Sequence, residues 1–250
     1  MTCATVPREL LTVDRLEVAY GKLRVVHGVS LAIGPGQFAV LLGRNGAGKT
    51  TTLRAISGLI PKQAGRVSFG GQDITSWSPR RILRNGLAQV LDGHRVFASL
   101  SVQDNLVVSA LGSGQSRSAQ ALEPIYEAFP ELAERRFQLA SRLSGGQQQI
   151  LAVAQGLVAK PRLLILDEPS AGLAPLVVER ILQLAKSLTR QGTAVLLVEQ
   201  FVEKALAYAD NCYVLDHGVL VGHGTPASLR ETGTIQEIYL GAEMTTPGSR

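Results

Sequence analysis

Eight consecutive residues, Gly43-Arg44-Asn45-Gly46-Ala47-Gly48-Lys49-Thr50, satisfy the phosphate-binding pattern G-x-x-x-x-G-K-[ST] at every fixed position. The glycines allow backbone angles and close approaches that a side chain would block. Their N–H groups, with the positive end of a following helix, then face an anion. Lys49 suits the β- and γ-phosphates of a nucleotide, and the Thr50 hydroxyl suits Mg²⁺. Far downstream, the apolar run Leu163-Leu164-Ile165-Leu166 ends in Asp167-Glu168. Open α/β sheets place ligands at the carboxyl ends of their strands. There, Asp167 suits the Mg²⁺ shell and Glu168 suits orientation or deprotonation of an attacking water. Acidic residues at a strand end also occur as plain caps, and Pro169 would permit a turn here.

The elements that must position these groups are legible in outline. Residues 37–42 form a short apolar run of strand length. A helix pattern starts near Gly48, with Leu53, Ile56 and Leu59 at helical spacing and Pro61 as a stop. The phosphate loop therefore lies between strand and helix, the context its motif requires. Residues 11–33 read as hairpin strands around a Gly21-Lys22 turn, and 67–69 as a further strand before Gly70-Gly71. Pro79 opens a short helix that Gly86 ends. Residues 93–159 carry no convincing strand; helical segments at 102–111 and 122–129 flank a small-polar loop, 112–118. Pro175 opens a helix whose apolar face is Val178, Ile181, Leu182, Ala185 and Leu188, closed by Gly192, before a strand at 194–198. Alternating strands and helices predict an α/β fold: a P-loop NTPase core with a largely parallel sheet, an N-terminal antiparallel β region and an inserted helical lobe. A single domain is expected over 10–241, with the core lobe at about 10–90 and 160–241 and the helical lobe at about 93–159. Residues 1–9 and 242–250 read as flexible tails.

Composition narrows the classes. The 250 residues are 45% hydrophobic, as in a globular chain with a sizeable core. No apolar run approaches the ~18 residues of a membrane span, and residues 1–10 lack the apolar centre of a secretory signal. The protein is therefore expected in the cytosol. Cys3, in an expected loose tail, and Cys212 lie far apart in sequence; a reducing compartment disfavours a structural disulfide, no metal spacing is present, and Cys212 reads as a buried strand residue. The net charge of +5 comes from scattered basic residues, with aromatics at 5%, so nucleic acid is not an expected partner.

One further stretch, Leu143-Ser144-Gly145-Gly146-Gln147, completes a combination by which the chain resembles the ATP-binding cassette (ABC) ATPases over nearly its whole length. The resemblance implies that ATP with Mg²⁺ is held by Gly43 to Thr50 and by Thr51, with Thr50, Asp167 and Asp92 around the metal. Tyr20 aligns with the aromatic that stacks on adenine, although a strand tyrosine equally fits packing. Ser144, Gly145, Gly146 and Gln147 would meet the γ-phosphate held by the opposite subunit. A serine hydroxyl, exposed glycine amides and a helix start form a suitable anion site.

The chain also departs from the common pattern. Ala174 replaces a frequent Asp, Gln155 a frequent Arg, Asp92 the usual Gln of the lobe-joining loop, and Gln200 the usual γ-phosphate-sensing His. These departures look like the ATPase subunits of bacterial importers for branched-chain amino acids; relatives serving urea and short amides look similar. The resemblance implies an ATPase with Glu168, Lys49 and Gln200 in catalysis, peripheral on the inner face of the cell membrane. Its implied partners are a second ATPase subunit, identical or a sister cassette, transmembrane permease subunits and a separate solute-binding protein. His94 and Arg95 would either face the membrane subunit or form a solvated pair.

Overall fold

The computed structural model describes residues 9–93, 96–115, 119–170, 173–199 and 202–235. Alternation of buried and exposed side chains builds an antiparallel hairpin from β1 (Leu11–Tyr20) and β2 (Leu23–Ile33). The buried strand β3 (Phe38–Leu42) runs into the phosphate loop and α1 (Lys49–Ile56). β4 (Ala64–Phe69) and β5 (Gln72–Asp73) follow, then α2 (Pro79–Arg84), with Pro79 in its first turn, and β6 (Leu87–Val90).

Helices come next: α3 (Val102–Ser113), α4 (Ala119–Ala128), α5 (Pro130–Glu134) and α6 (Gly145–Val158). β7 (Leu163–Asp167), α7 (Pro175–Arg190) and β8 (Ala194–Val198) return to the core. α8 (Val202–Leu206), β9 (Asn211–Asp216), β10 (Val219–Gly224) and α9 (Pro226–Glu231) complete it. Among the described residues, the strands form a four-stranded antiparallel sheet, β2-β1-β4-β5, and a six-stranded sheet, β10-β9-β3-β8-β7-β6. The larger sheet is parallel except for its edge strand β10.

The α/β expectation holds, and its physical basis is visible in β3, β7 and β8. Phe38, Val40 and Leu42 join one buried cluster, with Leu164, Leu166, Val195 and Leu197. Ala39 and Leu41 join the other, with Leu163, Ile165, Ala194, Leu196 and Val198. A parallel sheet covered on both faces needs such uninterrupted apolar strands. One cluster fills the space toward the helices; the second fills the space between the two sheets and contains Leu53 and Ile56 of α1.

Several boundaries differ from the sequence reading. β6 escaped it, because Leu87-Ala88-Gln89-Val90 interrupts its apolar run with Gln89. α3 continues through Gly112 to Ser113, where the Ser113 hydroxyl donates back to the Ser109 and Ala110 carbonyls at 3.1 and 2.9 Å. Gly114, at φ +84°, then ends the helix. α4 begins at Ala119 rather than 122, and α5 is additional. α1 stops at Ile56, ahead of Pro61, where the Ser57 hydroxyl returns to the Leu53 carbonyl and Gly58 takes φ +74°. Cys212 is fully buried in β9, and burial pushes its thiol up to about 12.

The two sheets and the phosphate loop meet at Gly218. Its N–H donates to the Ala47 carbonyl at 2.9 Å and its carbonyl accepts from His27 N–H at 2.8 Å. Gly218 has φ +77°, and a Cβ there would overlap the Val25 carbonyl oxygen and approach His27 Cδ2 to 2.7 Å. Gly218→Ala combines left-handed strain with a backbone clash and should cost about 2–4 kcal/mol. Urea unfolding should show a lower midpoint at unchanged slope. A midpoint equal to the parent's would refute this account of the junction.

Candidate functional site

The phosphate loop is shaped by backbone proximity. Gly43, Gly46 and Gly48 have φ of +151°, +81° and +100°, which side chains rarely adopt. A Cβ on Gly43 would enter the Leu215 carbonyl of β9, and one on Gly48 would lie 3.2 Å from the Val25 carbonyl of β2. The loop opens on a cavity of about 340 Å³ lined by Val25, Asn45, Gly46, Gly48, Lys49, Thr50, Thr51 and Glu168. Arg44 is exposed and Ala47 buried, the latter donating its N–H to the Arg44 carbonyl at 3.1 Å.

Lys49 is buried, and its Nζ donates to the carbonyls of Gly43 and Arg44 at 2.8 and 3.1 Å. The Glu168 carboxylate lies 3.9 Å from the same Nζ. Burial lowers the Lys49 pKa, and the negative charges of Glu168 and Asp167 oppose that shift. Glu168 itself has φ +47°, and its N–H donates to the Val198 carbonyl at 2.9 Å. A non-glycine residue in this region marks a backbone held by its surroundings, here where a side chain must face the cavity.

Asp167 is fully buried. Its Oδ1 accepts from the Thr50 hydroxyl at 3.1 Å, while its Oδ2 has no hydrogen-bond partner among the described residues. Burial pushes its carboxyl up to about 6; Asp92 and Glu168 add repulsion, against the Thr50 hydrogen bond and the Arg54 charge. An orphaned carboxylate oxygen beside a hydroxyl is a hard oxygen donor set that fits Mg²⁺. Among the described residues, no group of three or more His, Cys, Asp or Glu side chains is gathered to hold a metal alone.

Asp92, just beyond β6, faces Arg54 of α1, with Oδ1 3.6 Å from Nη2. Tyr20 ends β1 at the hairpin with about half its surface exposed, and it does not line the cavity. Ser144 caps α6 reciprocally: its hydroxyl accepts from Gln147 N–H at 3.3 Å, and its own N–H donates to Gln147 Oε1 at 3.0 Å. Ser144, Gly145, Gly146 and Gln147 are not brought to the cavity of their own chain. Gly146 instead lies beside Leu173, whose Cδ2 is 3.7 Å from where a Cβ would sit. Gln200 falls outside the described residues, as do His94 and Arg95.

Two contributors had no distinct sequence signal. Val25 reaches the cavity only because the two sheets pack together. Glu199 is buried at the end of β8, where its carboxylate accepts from the Ser170 hydroxyl at 2.5 Å and the Ser170 N–H at 3.1 Å. A lone carboxylate directly after the apolar run 194–198 was the available hint. Gln155, at the position of a frequent Arg, donates its amide at 3.1 Å to the buried Asn105 Oδ1, which also accepts Phe97 N–H.

Several known proteins are similar to this chain. The sequence profile described as ABC transporter matches residues 26–171. The high-affinity branched-chain amino acid transport ATP-binding protein BraG of Pseudomonas aeruginosa is 38% identical over 232 residues, 93% of this chain and 100% of that one. The probable branched-chain amino acid transport ATP-binding protein LivF of Archaeoglobus fulgidus is 34% identical, covering 93% and 99%. The lipopolysaccharide export system ATP-binding protein LptB of Escherichia coli is 33% identical, covering 93% and 98%. Among solved structures, the ADP conformation of an ATP-binding cassette of an ABC transporter superposes with TM-score 0.82 at 25% identity, over 93% of this chain and 99% of that one. The phosphate loop, the two carboxylates and these likenesses agree: the chain belongs to the ABC transporter family, as one of its ATP-hydrolysing cassettes.

Proposed function

We propose that the chain powers import of branched-chain amino acids, as the ATPase subunit of a membrane transporter. The observation that carries the catalytic part is the meeting of Lys49, Thr50 and Glu168 around one cavity, with Asp167 behind Thr50. Support for the cargo comes from the printed activities of BraG and LivF. Uptake of labelled leucine, urea and acetamide in cells lacking and regaining this chain tests it. Restored urea or acetamide uptake without leucine uptake would transfer the assignment to the amide importers. No restored uptake, with lipopolysaccharide export restored instead, would place the chain with LptB.

In this reading, the loop amides and Lys49 bind the ATP phosphates. Thr50, Asp167 and Asp92 would hold Mg²⁺, which would supply positive charge to offset that of the phosphates. Glu168 orients the water and accepts its proton as the water oxygen bonds to the γ-phosphorus and the bond to ADP breaks. Gln200 donates its amide to a γ-oxygen. Tyr20 stacks on adenine from the hairpin. Ser144 to Gln147 complete the site of a second subunit, which explains why one chain leaves them away from its own cavity. Among the described residues no helix is long and apolar enough to cross a membrane, so permease chains would supply the path and a separate binding protein the solute. An apolar groove of about 370 Å³ between the lobes, lined by Leu83, Phe97, Val108 and Gly112, is where the permease would dock. One domain spanning 10–241, with two lobes, remains the organisation we favour.

Glu168→Gln should keep ATP binding and lower turnover by about a hundredfold or more, because an amide cannot accept the water's proton. Light scattering with ATP and Mg²⁺ should then show a persistent dimer. A variant that hydrolyses ATP at the parental rate would remove Glu168 from the mechanism.

Ser144→Arg should abolish most turnover by filling the opposite subunit's γ-phosphate site, while the monomer's ATP affinity stays within about twofold, its own loop being intact. Equilibrium titration with a fluorescent ATP analogue checks this. A large loss of monomer affinity would mean that Ser144 acts on its own chain's nucleotide.

A further inference from the structure

β6 and β7 are neighbouring parallel strands, with Val90 opposite Leu166. Their carboxyl ends therefore bring three carboxylates to one rim: Asp92 just beyond β6, Asp167 ending β7, and Glu168. Like charges so placed need partners, and the same short helix supplies them. From α1, Lys49 faces Glu168 at 3.9 Å, Thr50 donates to Asp167 at 3.1 Å, and Arg54, one turn on from Thr50, faces Asp92 at 3.6 Å. The first two contacts belong to the phosphate and cation machinery. The third does not, since Arg54 lies beyond the phosphate loop and does not line the cavity.

We propose that Arg54 is a positioning residue that governs Asp92. Its guanidinium holds this carboxylate aside while the site is empty and releases it when a divalent cation arrives with nucleotide, so Arg54 sets how tightly the cation is held. The inference rests on the reading of Thr50 and Asp167 as cation ligands. Three observations carry it. Asp167 is buried with Oδ2 unpartnered, so the rim has a place for a cation. Asp92 stands at the next strand end, near enough for its charge to act on Asp167. The Arg54–Asp92 pair is a single contact at 3.6 Å between side chains one-third and nearly half exposed, with Asp92 Oδ1 itself buried. A single long ion pair between partly exposed side chains biases an equilibrium by about fivefold at most. A doubly charged ion attracts the same carboxylate about twice as strongly at equal distance and displaces the guanidinium. A buried, bidentate pair would hold too firmly to yield. The arrangement gives a chain with an acidic residue at this position a way to keep it from repelling the nucleotide phosphates.

The test uses the full chain, the β,γ-imido analogue of ATP and Mn²⁺ as the probe, with free Mn²⁺ read by electron paramagnetic resonance. Arg54→Gln and Arg54→Met should each tighten Mn²⁺ binding by about two- to fivefold, and Asp92→Asn should weaken it. Thermal melts would confirm that each variant folds, and two replacements at position 54 guard against one that does not. In the Asp92→Asn background the gain from Arg54→Gln should fall to half or less. Unchanged or weaker Mn²⁺ binding on replacing Arg54, or an equal gain with and without the Asp92 carboxylate, would overturn the proposal. Asp167→Asn separates the two readings. Mn²⁺ binding that survives it would overturn the cation site and this inference together. Its loss, alongside a null result at Arg54, would overturn the role of Arg54 alone.

Discussion

A carboxylate taken fully out of water at the end of a parallel strand is the constraint on which the site depends. Asp167 has no exposed surface, and its carboxyl is pushed up to about 6 by that burial. A buried ionised group is tolerated where it is paired, hydrogen-bonded or bound to a metal. The fold meets part of this demand with Thr50 and leaves Oδ2 without a partner. α1 must then start at Lys49, because only that start sets Thr50 against Asp167 while Lys49 turns back to the Gly43 and Arg44 carbonyls. A hard cation is the kind of partner that an oxygen such as Oδ2 accepts.

The smaller sheet takes part in this arrangement. Gly48 packs against the Val25 carbonyl, Gly218 against the same oxygen, and Tyr213 of β9 joins its hydroxyl to the backbone of Ala32 in β2. These contacts fix the hairpin against the carboxyl edge of the parallel sheet, and Val25 thereby becomes a wall of the nucleotide cavity. The loop's glycines are needed for room as much as for dihedral freedom. Gly43 stands where the backbone of β9 leaves no space for a methyl group, and at Gly48 a methyl would press on the Val25 carbonyl of β2.

What the sequence disclosed follows the range of the interactions involved. The phosphate loop and the Asp167-Glu168 strand end are local patterns, and each residue type follows from its chemistry. β3, β7 and β8 were legible because strands buried on both faces are continuously apolar. β6 was not, since Gln89 turns its amide to the Ser57 hydroxyl, a contact no periodicity announces. Val25, Glu199 and the Arg54–Asp92 pair depend on which elements the topology sets side by side, and spacing along the chain is silent on that. The end of α3 was misjudged for another reason. Glycine at 112 reads as a breaker, yet a packed helix tolerates it at a cost of about 1 kcal/mol relative to alanine.

The same topology places the start of α6 near the phosphate-loop side of the core through a few residues. The segment after β7 begins at Glu168 in the cavity, is pinned at Ser170 by the buried Glu199, and reaches Leu173, against which the capped start of α6 rests. Leu173 N–H also donates to the Ser170 carbonyl at 3.0 Å. Ser170 and Leu173 thus place the stretch that follows Glu168 beside the start of α6, which carries Ser144 and Gly146. The helical lobe is held to the core at another point, where Arg180 of α7 grips both Glu131 carboxylate oxygens at 2.5 and 3.1 Å and the Ala128 carbonyl at 3.0 Å. The grip is bidentate and Glu131 is only about one-fifth exposed, which makes it a firmer link than a simple surface ion pair. Packed cores resist gradual deformation, so the helices that carry the Ser144 cap are positioned by these two contacts, Leu173 beside Gly146 and Arg180 on Glu131.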